Sequence, residues 1–190
     1  MSTPRESKPA KLVISLFMKD KILIEPISAQ LVEKFGPVDM ISSWFPFDYT
    51  SYYESEMGTP LFRRMMVFKT LIDPCALPDI KLFTNTVEHG CAMGEKRQVN
   101  IDPGYLVHER FVLATGKNYT HRIYIGQGIY ADLTLIFTRG AFQTLPWTYP
   151  DYAQENLKAF LEQVRKKYVL DFKEIDGIKP AEKTGDNIYD

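Results

Sequence analysis

Tyr119-Thr120-His121-Arg122-Ile123-Tyr124-Ile125-Gly126-Gln127-Gly128-Ile129-Tyr130-Ala131-Asp132-Leu133-Thr134-Leu135-Ile136-Phe137-Thr138 is the stretch whose reading decides the fold. Runs rich in isoleucine, tyrosine and threonine flank Gly126-Gln127-Gly128, the pattern of a β-hairpin with a glycine-bearing loop. A three-residue loop pairs Ile125 with Ile129, Ile123 with Ala131 and His121 with Leu133, which makes one apolar face. The opposite face then sets Tyr124 beside Tyr130 and Arg122 beside Asp132. A slip of one residue would lose the alternation on both strands. Arg139-Gly140 turns the chain again into Phe142 to Leu145, so the hairpin extends to a three-strand meander.

Outward from the meander, helical stripes are interleaved with strand-like runs. Leu12 to Met18 is a short, nearly continuous apolar run, which suits a strand covered on both faces, although its length fits a buried helix segment too. Asp20 can cap a helix running to Phe35, with Pro26 either in its first turn or kinking it, and Gly36-Pro37 stops it. Val38 to Phe47 and Arg63 to Ile72 read as strands. A second helix from about Pro78 carries Ile80, Phe83, Val87 and Cys91 as an apolar stripe. Asp102-Pro103-Gly104 within Asn100 to Tyr105 is turn chemistry, while Leu106 to Thr115 fits either a strand or a short helix. After the meander, Leu157, Phe160, Leu161, Val164 and Tyr168 form the best amphipathic stripe, and Asp151 with Gln154 has capping-box spacing at its start. These elements predict one α+β domain over residues 11–170, with a mixed or largely antiparallel sheet, a ferredoxin-like element order, the C-terminal meander and a packed last helix. Residues 1–10 and 171–190, polar and charged, are expected as flexible tails.

Composition excludes several classes. The chain has 190 residues, 45% hydrophobic and 25% charged, which is ordinary for one globular domain. A formal net charge of −1 leaves no basic footprint for nucleic acid. No run approaches a membrane span and the N-terminus lacks a signal-peptide pattern, so a cytoplasmic location and no membrane partner are expected. Cys75 and Cys91 make neither a disulfide framework nor a zinc motif. There is no G-x-x-x-x-G-K-[ST], no H-E-x-x-H and no G-x-S-x-G.

Aromatics and carboxylates accumulate without helical or strand period in Phe45-Pro46-Phe47-Asp48-Tyr49-Thr50-Ser51-Tyr52-Tyr53-Glu54-Ser55-Glu56-Met57-Gly58. Such a loop is either a ligand wall or a set of rings packed to keep the loop ordered. Arg122 and Asp132 are either a surface cross-strand ion pair, worth about 0.2–1 kcal/mol, or an anion-gripping arginine held by its carboxylate. An enzyme would gather Asp48, Glu54, Glu56, Asp102 and His121 as catalytic groups around magnesium or manganese, whose hard character suits carboxylate oxygen. A binding module would instead use Tyr49, Tyr52, Tyr53, Asn100, Tyr105, Arg122, Tyr124, Tyr130, Asp132, Trp147 and Tyr149 for a small anionic, phosphate- or nucleotide-like ligand. The same tyrosines, tryptophan and arginine also suit a protein-interaction surface. Chemical density predicts that the Asp48–Glu56 loop and the Asn100–Tyr105 turn face one another across a pocket that also receives Arg122.

Phe45-Pro46-Phe47-Asp48-Tyr49-Thr50, Tyr52-Tyr53-Glu54, Glu56-Met57-Gly58, Asn100-Ile101-Asp102-Pro103-Gly104-Tyr105, His121-Arg122-Ile123-Tyr124 and Trp147-Thr148-Tyr149-Pro150-Asp151-Tyr152 together resemble the domain of unknown function 4416 family, over about Lys8 to Tyr168. The resemblance implies a prokaryotic, cytosolic protein with no established activity and supplies no catalytic residues. Members sometimes carry the label "GTP-binding protein", which the missing phosphate loop leaves unsupported here.

Overall fold

Because the run from Leu12 to Met18 is apolar at both parities, both of its faces need cover, and it takes the middle of the sheet. In the computed structural model, which describes residues 2–94 and 96–175, it is β1 (Ala10–Met18), buried throughout. β4 (Phe62–Ile72) and β5 (Val99–Leu106) pair with it on either side. Outside β4 lie β2 (Val38–Ile41) and the two-residue β3 (Phe45–Pro46). Outside β5 come β6 (Arg110–Thr115) and β8 (Ile129–Thr138), with β7 (Arg122–Gly126) and β9 (Ala141–Thr144) each paired to β8. The result is one nine-stranded sheet in which every pairing is antiparallel, an α+β fold.

Helices cover the two faces unequally. Asp20 caps a single 3₁₀ turn at Lys21–Leu23, and α1 (Ile24–Phe35) follows, so Pro26 sits harmlessly in its first turn. α1 and α3 (Leu77–Gly90) bury Ile27, Leu31, Ile80 and Val87 on the back face, against Leu12, Ile14, Leu16 and Met18. α4 (Glu155–Ile175) lays Leu157, Phe160, Leu161, Val164 and Tyr168 on the front face, over Val13, Met65, Val67 and Leu106. The front face beyond the reach of α4 is covered by the 45–58 segment, whose Phe47, Met57 and Tyr53 pack on Phe17 and Leu61. That segment contains a single helical turn, α2 (Glu54–Met57). No helix among the described residues is long and apolar enough to cross a membrane.

The hairpin keeps the expected register at Arg122 with Asp132, Ile123 with Ala131 and Tyr124 with Tyr130. Its end differs: Gly126 pairs with Ile129, a bulge falls at Ile125, and Gln127 and Gly128 turn with φ of 55° and 76°. Both turn residues are left-handed, which suits a two-residue loop. His121 stays outside β7 and does not pair with Leu133. The expected burial is also reversed in part, since Ile123 is 70% exposed whereas Arg122 and Asp132 are 8% and 3% exposed.

Asn100 to Tyr105 is not a turn but the body of β5. N–H groups alternate sides along a strand, and that of Ile101 points to Glu88 of α3, on the side where β5 has no strand partner until Gly104. Pro103, two residues on, would have pointed its missing N–H the same way, so proline costs no ladder bond here. Gly104 marks the close approach of β6: a Cβ there would lie 2.4 Å from the Val112 carbonyl oxygen. Leu106 to Thr115 resolves into a tight turn and β6, closed by Val107 N–H donating to the Arg110 carbonyl at 3.1 Å. Val38 to Phe47 divides into β2 and β3. The helix expected to end at residue 170 continues to Ile175, so Asp171 to Ile175 are helical, while residues 176–190 of the expected tail lie outside the described residues. At the other end Ala10 already begins β1, and Pro9 accepts a hydrogen bond from the Tyr168 hydroxyl at 2.9 Å.

Candidate functional site

Strand alternation assigns the polar residues of the front face before any contact is considered. Val13, Ser15 and Phe17 of β1 point forward; Arg63 and Asn100 lie opposite Phe17, and Asp102 lies opposite Ser15. Three chain segments far apart in sequence converge on this patch. From the 45–58 segment, Glu56 receives both Nε and Nη2 of Arg97, each at 3.1 Å. Arg97 Nη1 donates to Asn100 Oδ1 at 2.6 Å, and Asn100 Nδ2 donates to Asp102 Oδ2 at 2.6 Å. Lys81 of α3 reaches the Ile101 carbonyl at 2.8 Å and Asp102 at 3.4 Å. Tyr53 sets its ring edge on Phe17 with centroids 4.7 Å apart. Burial first, then the nearby Asp102 carboxylate, raises the Tyr53 phenol well above the ordinary tyrosine range, so it stays a neutral donor.

Arg63 forms the floor. It is 3% exposed, and its guanidinium carbon lies 4.7 Å from the Phe47 ring centroid and 4.8 Å from that of Tyr152. Nη1 makes an ion pair with Asp151, but that contact lacks hydrogen-bond geometry. Nε has no acceptor, and the buried Ser15 Oγ and Tyr152 hydroxyl, close enough to act on each other, have no further partner. Burial raises the Tyr152 phenol, against the opposing pull of Arg63. A shallow recess above Arg63 is lined by Phe45, Phe47, Tyr49, Asp151 and Asn156. It is small, about 10 Å³, room for one water-sized group.

A second neighbourhood adjoins it. The segment after β9 is strapped across β8 by Trp147 Nε1 donating to the Leu133 carbonyl at 2.8 Å and Thr148 Oγ1 donating to the Thr134 carbonyl at 2.6 Å. Arg122 meets it from below: Nε donates to Asp132 at 2.8 Å, Nη1 to the Lys117 carbonyl at 2.9 Å and Nη2 to the Tyr149 hydroxyl at 2.6 Å. The pair expected on the surface is therefore buried, because this strap covers it. His121 lies 3.3 Å from Asp132 and stacks on Trp147 with centroids 5.1 Å apart. Lys117 bridges the two neighbourhoods through the Tyr52 hydroxyl at 3.4 Å.

The predicted site residues thus divide. Tyr53, Glu56, Asn100 and Asp102 come together by direct contacts or close approach, and His121, Arg122, Asp132, Trp147 and Tyr149 form the adjoining group. Tyr49 walls the recess and Tyr52 stays exposed beside Lys117. Asp48 and Glu54 are exposed, with no ion pair among the described residues. Tyr105 points to the back face among Leu77 and Val112, as its place opposite Leu12 requires. Tyr124 and Tyr130 pack on each other, with centroids 5.4 Å apart, one pair further along the hairpin than Arg122 and Asp132. Asp151 pairs with Arg63 instead of capping α4, which begins only at Glu155. Among the described residues, no three His, Cys, Asp or Glu side chains gather to hold a metal ion.

Sequence reasoning missed Ser15, Arg63, Arg97 and Tyr152. Ser15 carried a signal, as a polar residue in the middle of an apolar strand, where burial requires a partner; Arg63, at the start of its strand, carried none. Fold and site define an antiparallel α+β protein with a polar cluster sealed beneath aromatic rings. The chain belongs to the family described as domain of unknown function (DUF4416), whose profile matches residues 8–168. No curated protein and no solved structure matches it.

Proposed function

We propose that this protein binds a small anionic ligand on the front face, around Arg63, Asp102 and the neighbouring tyrosines. Arg63 carries the reading: a guanidinium closed off from water, with an Nε–H that lacks an acceptor, beside the buried hydroxyls of Ser15 and Tyr152. Buried donors nearly always have partners, and leaving one unpaired costs about 1–3 kcal/mol, more when it is charged. A bound acceptor removes that cost. Phe47 and Tyr49 supply apolar walls, and Asp151 with Asn156 supplies polar groups, the mixture usual for small-ligand sites. The carboxylates named for metal chemistry are engaged separately or exposed, so the binding reading is favoured over hydrolysis.

Thermal shift tests this directly. Inorganic phosphate, AMP, GTP, acetate and benzoate are each titrated against the purified protein, and at least one is expected to raise Tm in a saturable way. Stabilisation at ten times Kd is about 1.4 kcal/mol by mass action. If every one of these anions leaves Tm unmoved, the reading fails.

A further inference from the structure

We infer that the group taken up at Arg63 is the carboxylate of a ligand with an apolar body, entering between Phe47 and Tyr49 and displacing Asp151 from the guanidinium. This rests on the anion-binding reading and narrows it to one chemistry. The neighbouring Arg97 shows how a carboxylate suits this environment: Glu56 takes its Nε and Nη2 edge in a bidentate pair, both bonds at 3.1 Å. Arg63 offers an Nε with nothing on it. The recess over it, about 10 Å³, admits one water-sized group, such as a single carboxylate oxygen with the rest of the ligand outside.

Charge points the same way. Asp151 touches Arg63, and Asp102 is close enough to act on both Arg63 and Tyr152. A phosphate dianion would bring two charges against these acids, whereas a carboxylate brings one. Asp151 already plays that part imperfectly, as an ion pair without hydrogen-bond geometry, from the segment that joins β9 to α4. Exchange of Asp151 for the ligand keeps the buried guanidinium paired at every stage, which a buried charge requires. Of the remaining lining, Phe45, Pro46, Phe47, Tyr49 and Leu157 offer carbon and ring surface to the rest of the molecule, beside the amides of Gln154 and Asn156.

Calorimetry and ¹H–¹⁵N NMR titration with acetate, benzoate and inorganic phosphate, on wild type, Asp151→Asn and Tyr49→Ala, test the inference. Both carboxylates are expected to bind and phosphate not to; Asp151→Asn, which removes the internal competitor, should bind benzoate roughly tenfold more tightly. Tyr49→Ala, at an exposed ring, should weaken benzoate more than acetate without unfolding the protein. Binding of phosphate with no response to either carboxylate overturns this inference and leaves the anion-binding reading standing. No response to any of the three overturns both, and the recess then holds water alone. Weaker benzoate binding by a folded Asp151→Asn variant would overturn the displacement step.

Discussion

Arg122 has an acceptor at each guanidinium nitrogen, which makes it a pin between β7, the Lys117 turn and the strap that carries Tyr149. Its partner Asp132 also contacts His121, so the acid is buried between two side chains of the same segment. Truncating one member of a buried pair leaves the other uncompensated and typically costs 3–5 kcal/mol. Arg122→Ala is therefore expected to lower the unfolding free energy in urea by about that amount. A loss below about 1 kcal/mol would mean a solvent-screened surface pair. Arg63 differs at the same scale, since its Nε is unpaired; Asp102→Asn, at a half-buried carboxylate whose charge acts on Arg63, should change ligand-induced stabilisation far more than Tm of the free protein.

The half of β5 that precedes Gly104 has no strand on its outer side, and α3 substitutes for one. Glu88 accepts the Ile101 N–H and Lys81 donates to the Ile101 carbonyl, so the edge is satisfied by two side chains of one helix. Burial pushes the Glu88 carboxyl up to about 7, opposed by Lys81, by the Ile101 N–H and by Arg97, and reinforced by Asp102. A carboxyl with a raised folded pKa binds its proton more tightly when folded, so its contribution is greatest below the unfolded value near 4.5 and is lost as pH rises towards about 7. Between those limits the change is on the order of 2–3 kcal/mol. Glu88→Gln keeps an acceptor for Ile101 and should flatten this decline in a set of urea melts from pH 4.5 to 7.5; parallel wild-type and variant profiles would show that the group titrates normally. The same stretch predicts the outcome of Gly104→Ala. Its Cβ would meet the Val112 carbonyl oxygen, a backbone atom that cannot swing aside, so a loss of about 1–3 kcal/mol is expected. An unchanged urea midpoint would contradict the close approach of β5 and β6.

Across the whole molecule, Lys11 of β1 ties three elements together, two strands of the sheet and the last helix. Its ammonium, fully buried, lies 2.6 Å from Asp39 of β2 and 2.5 Å from Asp171 of α4, and Lys167 shares both acids. Burial alone would raise the Asp171 carboxyl, but hydrogen bonds from Lys11 and Lys167 outweigh it and hold it below the ordinary range. A depressed carboxyl stabilises the fold above its unfolded pKa, near 3.8, and that contribution is lost as pH falls through the lower folded value. Asp171→Asn should therefore remove part of the acid-sensitive stability and leave Lys11 with one carboxylate, read as a lower urea midpoint at pH 6 that converges with wild type below about pH 3. An equal deficit at both pH values would assign the loss to packing. Periodicity, turn chemistry and alternation within a few residues were enough for β1, the stripe of α4, the Gly36 stop and the hairpin register from Arg122 to Tyr124, but not for its loop end. Alternation also placed Ser15, Arg63 and Asp102 on one face once their strands paired. Contacts between distant segments settled what covers that face: the strap from Leu145 to Tyr152 buried Arg122, Asp151 turned from helix cap to partner of Arg63, and an Asp-Pro-Gly stretch became strand where β5 has no outer neighbour. Those outcomes depend on contacts between residues far apart in the chain, whose free energy of burial exceeds the few tenths to one kcal/mol of local preference that a sequence displays.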